Sequence, residues 1–157
     1  MRFHHVGYAT RNIDLYVEDF FGPVFAPLAI SEKVSDPIQR VTVCFARMQG
    51  DTMIELVEPF GENSPIDGVI GSNRGGVYHL CYEVDDLDWE VARCRKRRCM
   101  PVSKPVPAAA FNGRRIVFLL TPQRDLIELV EKHRSPTDGS EPRRFADGTP
   151  SDRRRPR

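Results

Sequence analysis

CFARMQGDTMIELVE at Cys44–Glu58 and VFLLTPQRDLIELVE at Val117–Glu131 end in the same five residues, IELVE, and Phe45 falls on Phe118 when the two are laid together. A second match lies upstream of each. HHVGYATRNID (His4–Asp14) sits over YHLCYEVDDLD (Tyr78–Asp88), with His5 on His79, Tyr8 on Tyr82, Ile13 on Leu87 and Asp14 on Asp88. Two matches in the same order at nearly one spacing mark an internal duplication, in which each copy is one supersecondary unit.

Each copy reads as βαβββ. In the first, a strand at Phe3–Ala9 precedes a helix that Asn12 can cap, with Ile13, Tyr16, Val17, Phe20 and Phe21 recurring as an amphipathic stripe. Strands are expected near Leu28–Val34, Arg40–Met48 and Thr52–Glu58. In the second, a strand at Val77–Val84 precedes a helix capped by Asp85 or Asp86 and running to Arg98, with its basic run as a solvated face. Strands are expected near Val102–Pro105, Arg114–Leu120 and Leu126–Glu131, and Asn112-Gly113 signals a tight hairpin. The class is therefore α+β. Module one covers 1–60, a Gly, Ser, Asn and Pro-rich linker covers 61–76, and module two covers 77–132.

From His133 onward, HRSPTDGSEPRRFADGTPSDRRRPR has only Phe145 and Ala146 as aliphatic or aromatic residues, so a disordered basic tail is expected over 133–157. The chain carries a net charge of +1, which argues against a nucleic-acid binder. No apolar run reaches the roughly 18 residues of a membrane span. Cys44, Cys81, Cys94 and Cys99 form no C-x-x-C pair and read as free thiols. A reducing, cytoplasmic setting is expected.

Four polar residues interrupt the apolar strands. Glu55 shares its face with Met53 and Val57, and Glu128 shares its face with Leu126 and Val130, because side chains alternate along a strand. A carboxylate buried there needs a cation, a hydrogen-bond network or a raised pKa. His5 and His79 stand at matching positions, and a duplicated unit folded on a pseudo-two-fold brings such equivalents together. Two His and two Glu make a mixed N/O site suited to Zn²⁺, Ni²⁺, Co²⁺, Mn²⁺ or Fe²⁺. His4 alternates to the opposite face, and Tyr78 stands at its counterpart, so it is left out of the set.

FHHVGYAT, GDTMIELVEP, SPIDGVI, GGVYHLCYEVDDL and RRIVFLLTP followed by LIELVE resemble the glyoxalase, bleomycin-resistance and dioxygenase (vicinal oxygen chelate) superfamily, in its methylmalonyl-CoA epimerase branch. The likeness runs from Phe3 to Glu131. It implies tandem modules forming a cupped mixed sheet around a central metal, with His5, Glu55, His79 and Glu128 as ligands. It also implies a homodimer and a small-molecule substrate, a CoA or carrier-protein thioester. Epimerases of this kind carry one further acidic residue before the central strand of module one, and here Asp36 is the candidate. PVPAAAFNGRR (Pro105–Arg115) replaces their usual glycine-rich run.

The expected reaction is removal of a proton α to a carbonyl. It needs a positioned base, and inversion needs one on each face of the carbanion. Glu55 and Glu128 are the catalytic candidates, with Glu128 favoured. Arg114 or Arg115 is expected to reach an anionic group of the substrate, and Phe111 and Tyr82 to line the cup. Alternatives are a glyoxalase I-type lyase, which would use the same ligands, and a small-molecule (antibiotic) binding protein. An extradiol dioxygenase uses only two His and one carboxylate, so the fourth ligand argues against it.

Overall fold

The computed structural model describes residues 1–73 and 75–133. Its elements are β1 (Arg2–Ala9), α1 (Ile13–Tyr16), α2 (Gly22–Phe25), β2 (Ala29–Ile30), β3 (Val34–Asp36), β4 (Val41–Arg47), β5 (Met53–Pro59), α3 (Asp67–Asn73), β6 (Gly76–Val84), α4 (Leu87–Arg95), β7 (Met100–Pro101), β8 (Val106–Pro107), β9 (Arg115–Leu120) and β10 (Leu126–Glu131). The strands form one mixed sheet in the order β2-β4-β5-β1-β6-β10-β9-β7, with β3 paired to β4 and β8 to β9. This is the expected α+β architecture of a cupped, mixed sheet.

The duplication is visible in the pairing. β1 runs parallel to β5, β6 runs parallel to β10, and β1 meets β6 antiparallel at the centre of the sheet. The sheet has two apolar faces for two different reasons. On the convex face, Ile13, Phe21, Cys44, Ala46 and Leu56 pack under the first helical segment, and Val84, Leu87, Val117, Leu119 and Leu129 pack under α4. On the concave face, Val41, Val43 and Val57 meet Ile66 and Ile70, and Cys81, Ile116 and Val130 meet Ala108 and Phe111. Alternation thus sends Leu56 and Leu129 outward under helices, and Glu55 and Glu128 inward.

Asn12 caps α1 by accepting Leu15 N–H, and Asp86 caps α4 by accepting Trp89 N–H, the usual bond from an N-cap side chain. Some elements depart from the sequence reading. A wider turn, Val17–Phe21, separates α1 from α2, closed by Gly22 N–H to Val17 O. That i→i+5 turn shifts the helical register. Phe21 is consequently buried while Phe20, expected on the same stripe, is 46% exposed. α4 stops at Arg95 rather than Arg98, which adopts φ 66°. The expected strand Leu28–Val34 breaks into two short pieces, β2 and the start of β3, and the strand expected at Val102–Pro105 is absent, a bend flanked by β7 and β8. Pro101, Pro105 and Pro107 lack the N–H a continuous ladder requires. Asn112 and Gly113 do adopt positive φ, but inside a longer β8–β9 connection that includes a turn of 3₁₀ helix at Ala109–Phe111. The linker contains a helix, α3, that its Gly and Ser content concealed. The basic tail expected from His133 lies, apart from His133 itself, outside the described residues.

Candidate metal centre

The centre of the sheet places the site. Val6 pairs with Leu80 across β1 and β6, and these two positions are equivalents in the duplication. The pseudo-two-fold passes through that pair, so His5 and His79 flank it. Gly7 lies beside Glu55 on β5, and Cys81 lies beside Glu128 on β10. On their other sides Glu55 pairs with Phe45 and Glu128 with Phe118. Each glutamate is therefore walled by one phenylalanine and set next to the central histidines. The Phe45 ring stands edge-on to His5, and the Phe118 ring edge-on to His79.

All four residues are buried: His5 at 0%, Glu55 at 5%, His79 at 2% and Glu128 at 2% exposure. His5 Nε2 and His79 Nε2 are 2.9 Å apart. Glu128 Oε2 lies 3.3 Å from the first and 3.4 Å from the second, and Glu55 Oε2 lies 3.4 and 3.5 Å from them. Atoms held about 2.0–2.2 Å from one ion sit roughly 3 to 3.5 Å from adjacent ligands. The four donors converge at that spacing. Among the described residues Glu128 Oε2 has no hydrogen-bond partner beyond its ion-pair contacts with the two histidines, a costly arrangement for a buried carboxylate oxygen unless a cation faces it. A cavity of ≈ 20 Å³ bordered by Glu55, Glu128, Tyr78, Phe111 and Phe118 opens beside the cluster, room for about one water-sized particle. The donor set fits a divalent ion.

The metal-free electrostatics agree. Burial alone would lower the pKa of His5, yet its contacts with Glu128 and Glu55 raise it to about 9. A proton on His5 thereby supplies part of the positive charge that an ion would bring. Burial pushes the carboxyl of Glu128 up, and the two histidines together pull it well below the usual carboxylate range. Burial also raises the Tyr78 hydroxyl and the Cys81 thiol, so both stay neutral.

Both central strands carry a register shift. Phe3 pairs with Tyr82 and His5 with Cys81, so His4 is an extra residue in β1. Likewise Gly7 pairs with His79 and Tyr8 with Val77, so Tyr78 is an extra residue in β6. An extra residue breaks strict alternation and re-aims its side chain. His4 accordingly turns to the same side as His5, and its Nδ1 lies 2.9 Å from His5 Nδ1. Alternation along a regular strand had excluded it, and only the shift reverses that. Burial lowers the pKa of His4, so that ring is neutral.

Gly7 makes room for His79. A Cβ at Gly7 would lie 2.1 to 2.5 Å from three atoms of the His79 ring. Gly7→Ala must therefore push that ring out of the cluster. Overpacking of this kind costs about 1–3 kcal/mol. The expected outcome is a lowered unfolding midpoint in denaturant together with weakened ion binding, against an unchanged fold by circular dichroism.

The other sequence candidates divide. Phe111 lines the cup, stacked on His5 with centroids 6.0 Å apart and edge-on to His4. Tyr82 does not: it packs under α4 on the convex face, because the shift lies before it and regular alternation resumes. Arg115 is committed to Glu131 and Asp88 at 2.9 and 3.0 Å. Arg114 is committed to Glu83 at 3.0 Å, and its guanidinium lies over the Phe111 ring. Asp36 borders the cup but is fully engaged. Its carboxylate accepts the backbone N–H groups of Ile38, Gln39 and Ala109 and the side-chain amide of Gln39. Burial raises its pKa, the four donors outweigh that, and the net shift is downward. Asp36 thus clamps the first half of the sheet to the 3₁₀ turn of the second. Gln39, which the sequence reading did not single out, borders both the small cavity and a neighbouring groove of ≈ 340 Å³.

Comparison with known proteins adds a family to this geometry. Residues 4–118 match the Glyoxalase/Bleomycin resistance protein/Dioxygenase superfamily. The mitochondrial methylmalonyl-CoA epimerase of Dictyostelium discoideum is 34% identical over 134 residues, which span 83% of this chain and 78% of that protein. The human enzyme of the same name is 32% identical over 75% of this chain, and the match spans 65% of its length. Among solved structures, methylmalonyl-CoA epimerase from Mycobacterium tuberculosis superposes with a TM-score of 0.72 at 25% identity, covering 85% of this chain and 89% of that one. A methylmalonyl-CoA epimerase in complex with methylmalonyl-CoA and NH4+ gives 0.70 at 25% identity, over 83% and 93%. The match begins at the adjacent histidines of β1 and extends into β9, and on that extent the chain belongs to the glyoxalase/bleomycin resistance/dioxygenase superfamily, with methylmalonyl-CoA epimerases as its relatives.

Proposed function

We propose that this protein is an acyl-CoA epimerase that moves the proton α to the thioester carbonyl, with His5, Glu55, His79 and Glu128 holding one divalent ion. The observation that carries the reading is the placement of two carboxylates from equivalent strands on opposite flanks of one histidine pair. Zn²⁺, Ni²⁺, Co²⁺, Mn²⁺ and Fe²⁺ all suit two imidazoles and two carboxylates. Such an ion, when bound, supplies Lewis acidity that favours negative charge on an adjacent carbonyl.

The chain's own groups do the rest. Epimerisation removes a proton on one face of the α-carbon and returns one on the other, so it needs a group on each side. Glu55 and Glu128 are so arranged, and Glu128, the more deeply buried, is the favoured base. Asp36 is excluded from that part by its four donors and Gln39 by being neutral at all working pH values. Phe45, Phe111 and Phe118 wall the cluster and exclude water from the reacting centre. The groove of ≈ 340 Å³ beside it presents Val41, Ile66, Val102 and Ile116, with Gln39, Arg40 and Ser103 as polar points. That lining suits an acyl thioester arm: an apolar wall for its methylenes and donors for its amides. Arg114 and Arg115, both committed to carboxylates, are not part of it. The reading extends to a homodimer in the cytoplasm, where free thiols such as Cys44 and Cys81 persist.

The test is proton exchange. Metal-loaded protein is incubated in D₂O with methylmalonyl-CoA and other 2-substituted acyl-CoA thioesters, and the α-proton signal is followed by NMR. The expected result is loss of that signal together with interconversion of the two epimers. No exchange on any thioester would overturn the reading. Turnover of a thiohemiacetal in its place would move the protein to the glyoxalase-type alternative.

A further inference from the structure

We propose that His4 is a positioning residue for the metal site: its Nδ1 accepts the Nδ1–H of His5, which holds the His5 ring with its Nε2 lone pair directed at the ion. The proposal rests on the metal reading above. Its basis is the backbone irregularity and what that irregularity brings together.

Three observations on His4 converge: its register, its hydrogen bond and its packing. The register shift at His4 rotates a residue that regular alternation would send to the convex face. The two Nδ1 atoms then lie 2.9 Å apart, within hydrogen-bond distance. The His4 ring is also braced, edge-on to Phe111 with centroids 5.5 Å apart, while Phe111 stacks on His5. His5 Nε2 faces His79, Glu55 and Glu128, so the tautomer that ligates there carries its proton on Nδ1. An Nδ1–H in that position needs an acceptor. Among the described residues, His4 is the one within reach. Outer partners of this kind fix both the tautomer and the orientation of a ligating imidazole.

The duplication supplies the comparison within the same molecule. Tyr78 is the equivalent extra residue in β6, and its ring stands edge-on to His79 at 4.4 Å. It provides no acceptor, and His79 Nδ1 has no hydrogen-bond partner among the described residues. The two halves thus place the same backbone irregularity beside each histidine, and only the first half uses it to hold the ring. The site is asymmetric: His5 is held from behind by a hydrogen bond, and His79 is backed on that side only by the packing of Gly7, Tyr78 and Phe118.

The experiment uses the full chain labelled with ¹⁵N-histidine, wild type against His4→Phe and His4→Asn, with Zn²⁺ affinity measured by competition with a chelating dye. His4→Phe keeps an aromatic ring against Phe111 and removes the acceptor. It is expected to weaken Zn²⁺ binding by about 10–100-fold, the usual cost of losing such a partner. It is also expected to abolish a slowly exchanging ring N–H resonance assigned to His5 Nδ1. His4→Asn, with a side-chain carbonyl to accept the same proton, is expected to restore both. A His4→Phe variant that binds as tightly as wild type with the resonance unchanged would overturn the proposal. So would a second equivalent of Zn²⁺ in wild type that disappears in His4→Phe and in Cys81→Ser, since His4, His5 and the Cys81 thiol, whose donor atoms lie within 4.8 Å of one another, would then share an ion and His4 would be a ligand. A wild type that takes up no ion would instead defeat the metal reading. The N–H resonance of metal-free protein would still decide whether His4 holds the ring.

Discussion

The Glu128→Gln variant is expected to lose α-proton exchange by about 10²–10⁴-fold, the range over which a positioned general base contributes. The substitution is nearly isosteric, so the walls of Phe118 and Cys81 keep their contacts. What changes is charge. Glu128 is buried to 2% exposure, and the histidines hold its carboxyl ionised. Glutamine removes the negative charge and puts an amide N–H₂ where one acceptor oxygen stood, facing His5 Nε2 and His79 Nε2. The metal content of the same sample separates two roles. Exchange lost with the ion retained assigns Glu128 as base, and loss of both assigns it as an indispensable ligand. Near wild-type exchange with full metal content would remove Glu128 from the mechanism and move the favoured base to Glu55.

Stripping the ion with a chelator is expected to lower the thermal midpoint, and to do so increasingly as pH rises. An ion at about 100 times its dissociation constant adds about 2.7 kcal/mol to the folded state. For a domain of this size that corresponds to a fall of about 5–11 °C on removal. The pH dependence follows from His5. In metal-free protein its pKa stands at about 9 against an ordinary value of 6.5. A folded pKa above the unfolded one contributes stability that is complete below the unfolded value and is lost as pH rises through the folded value. The metal-free protein should therefore lose stability between about pH 6.5 and 9. The loaded protein carries no proton on that nitrogen and should not follow. Binding displaces the proton, so affinity should rise over the same interval. Calorimetric scans with and without chelator at several pH values check this. Curves that stay parallel across the interval would mean that the ion does not displace a proton from His5, and coincident curves that the four buried residues do not share an ion.

Much of this protein is written along the chain. The recurrence of IELVE and the match of His5 to His79 reveal the duplication, and alternation along β5 and β10 correctly turns Glu55 and Glu128 inward. These features are legible because they depend on local period and composition, and each strand obeys the period of two where it matters. The elements that failed did so for local reasons that composition does not encode: a wide turn that exposes Phe20, prolines that split a strand, a short helix inside a Gly- and Ser-rich segment.

The arginines are a different case. Their place at the start of β9 follows from the chain, but whether a guanidinium is free for a ligand depends on Glu83, Glu131 and Asp88, which come from other strands and a helix start. Asp36 likewise looks like a spare carboxylate until Ala109, far along the chain, donates to it. His4 shows the same limit at the scale of one residue. A strand's face is predictable from its sequence only while the register holds. One extra residue in β1 carries His4 to the side of His5, whereas Tyr82, three residues after His79, lies under a helix as plain alternation from that histidine dictates. The residue types of the cluster and its symmetry are thus set by the sequence itself. Which groups remain unpaired, and on which side each side chain lies, is decided only when distant strands pair, because both depend on partners that the chain brings together in three dimensions.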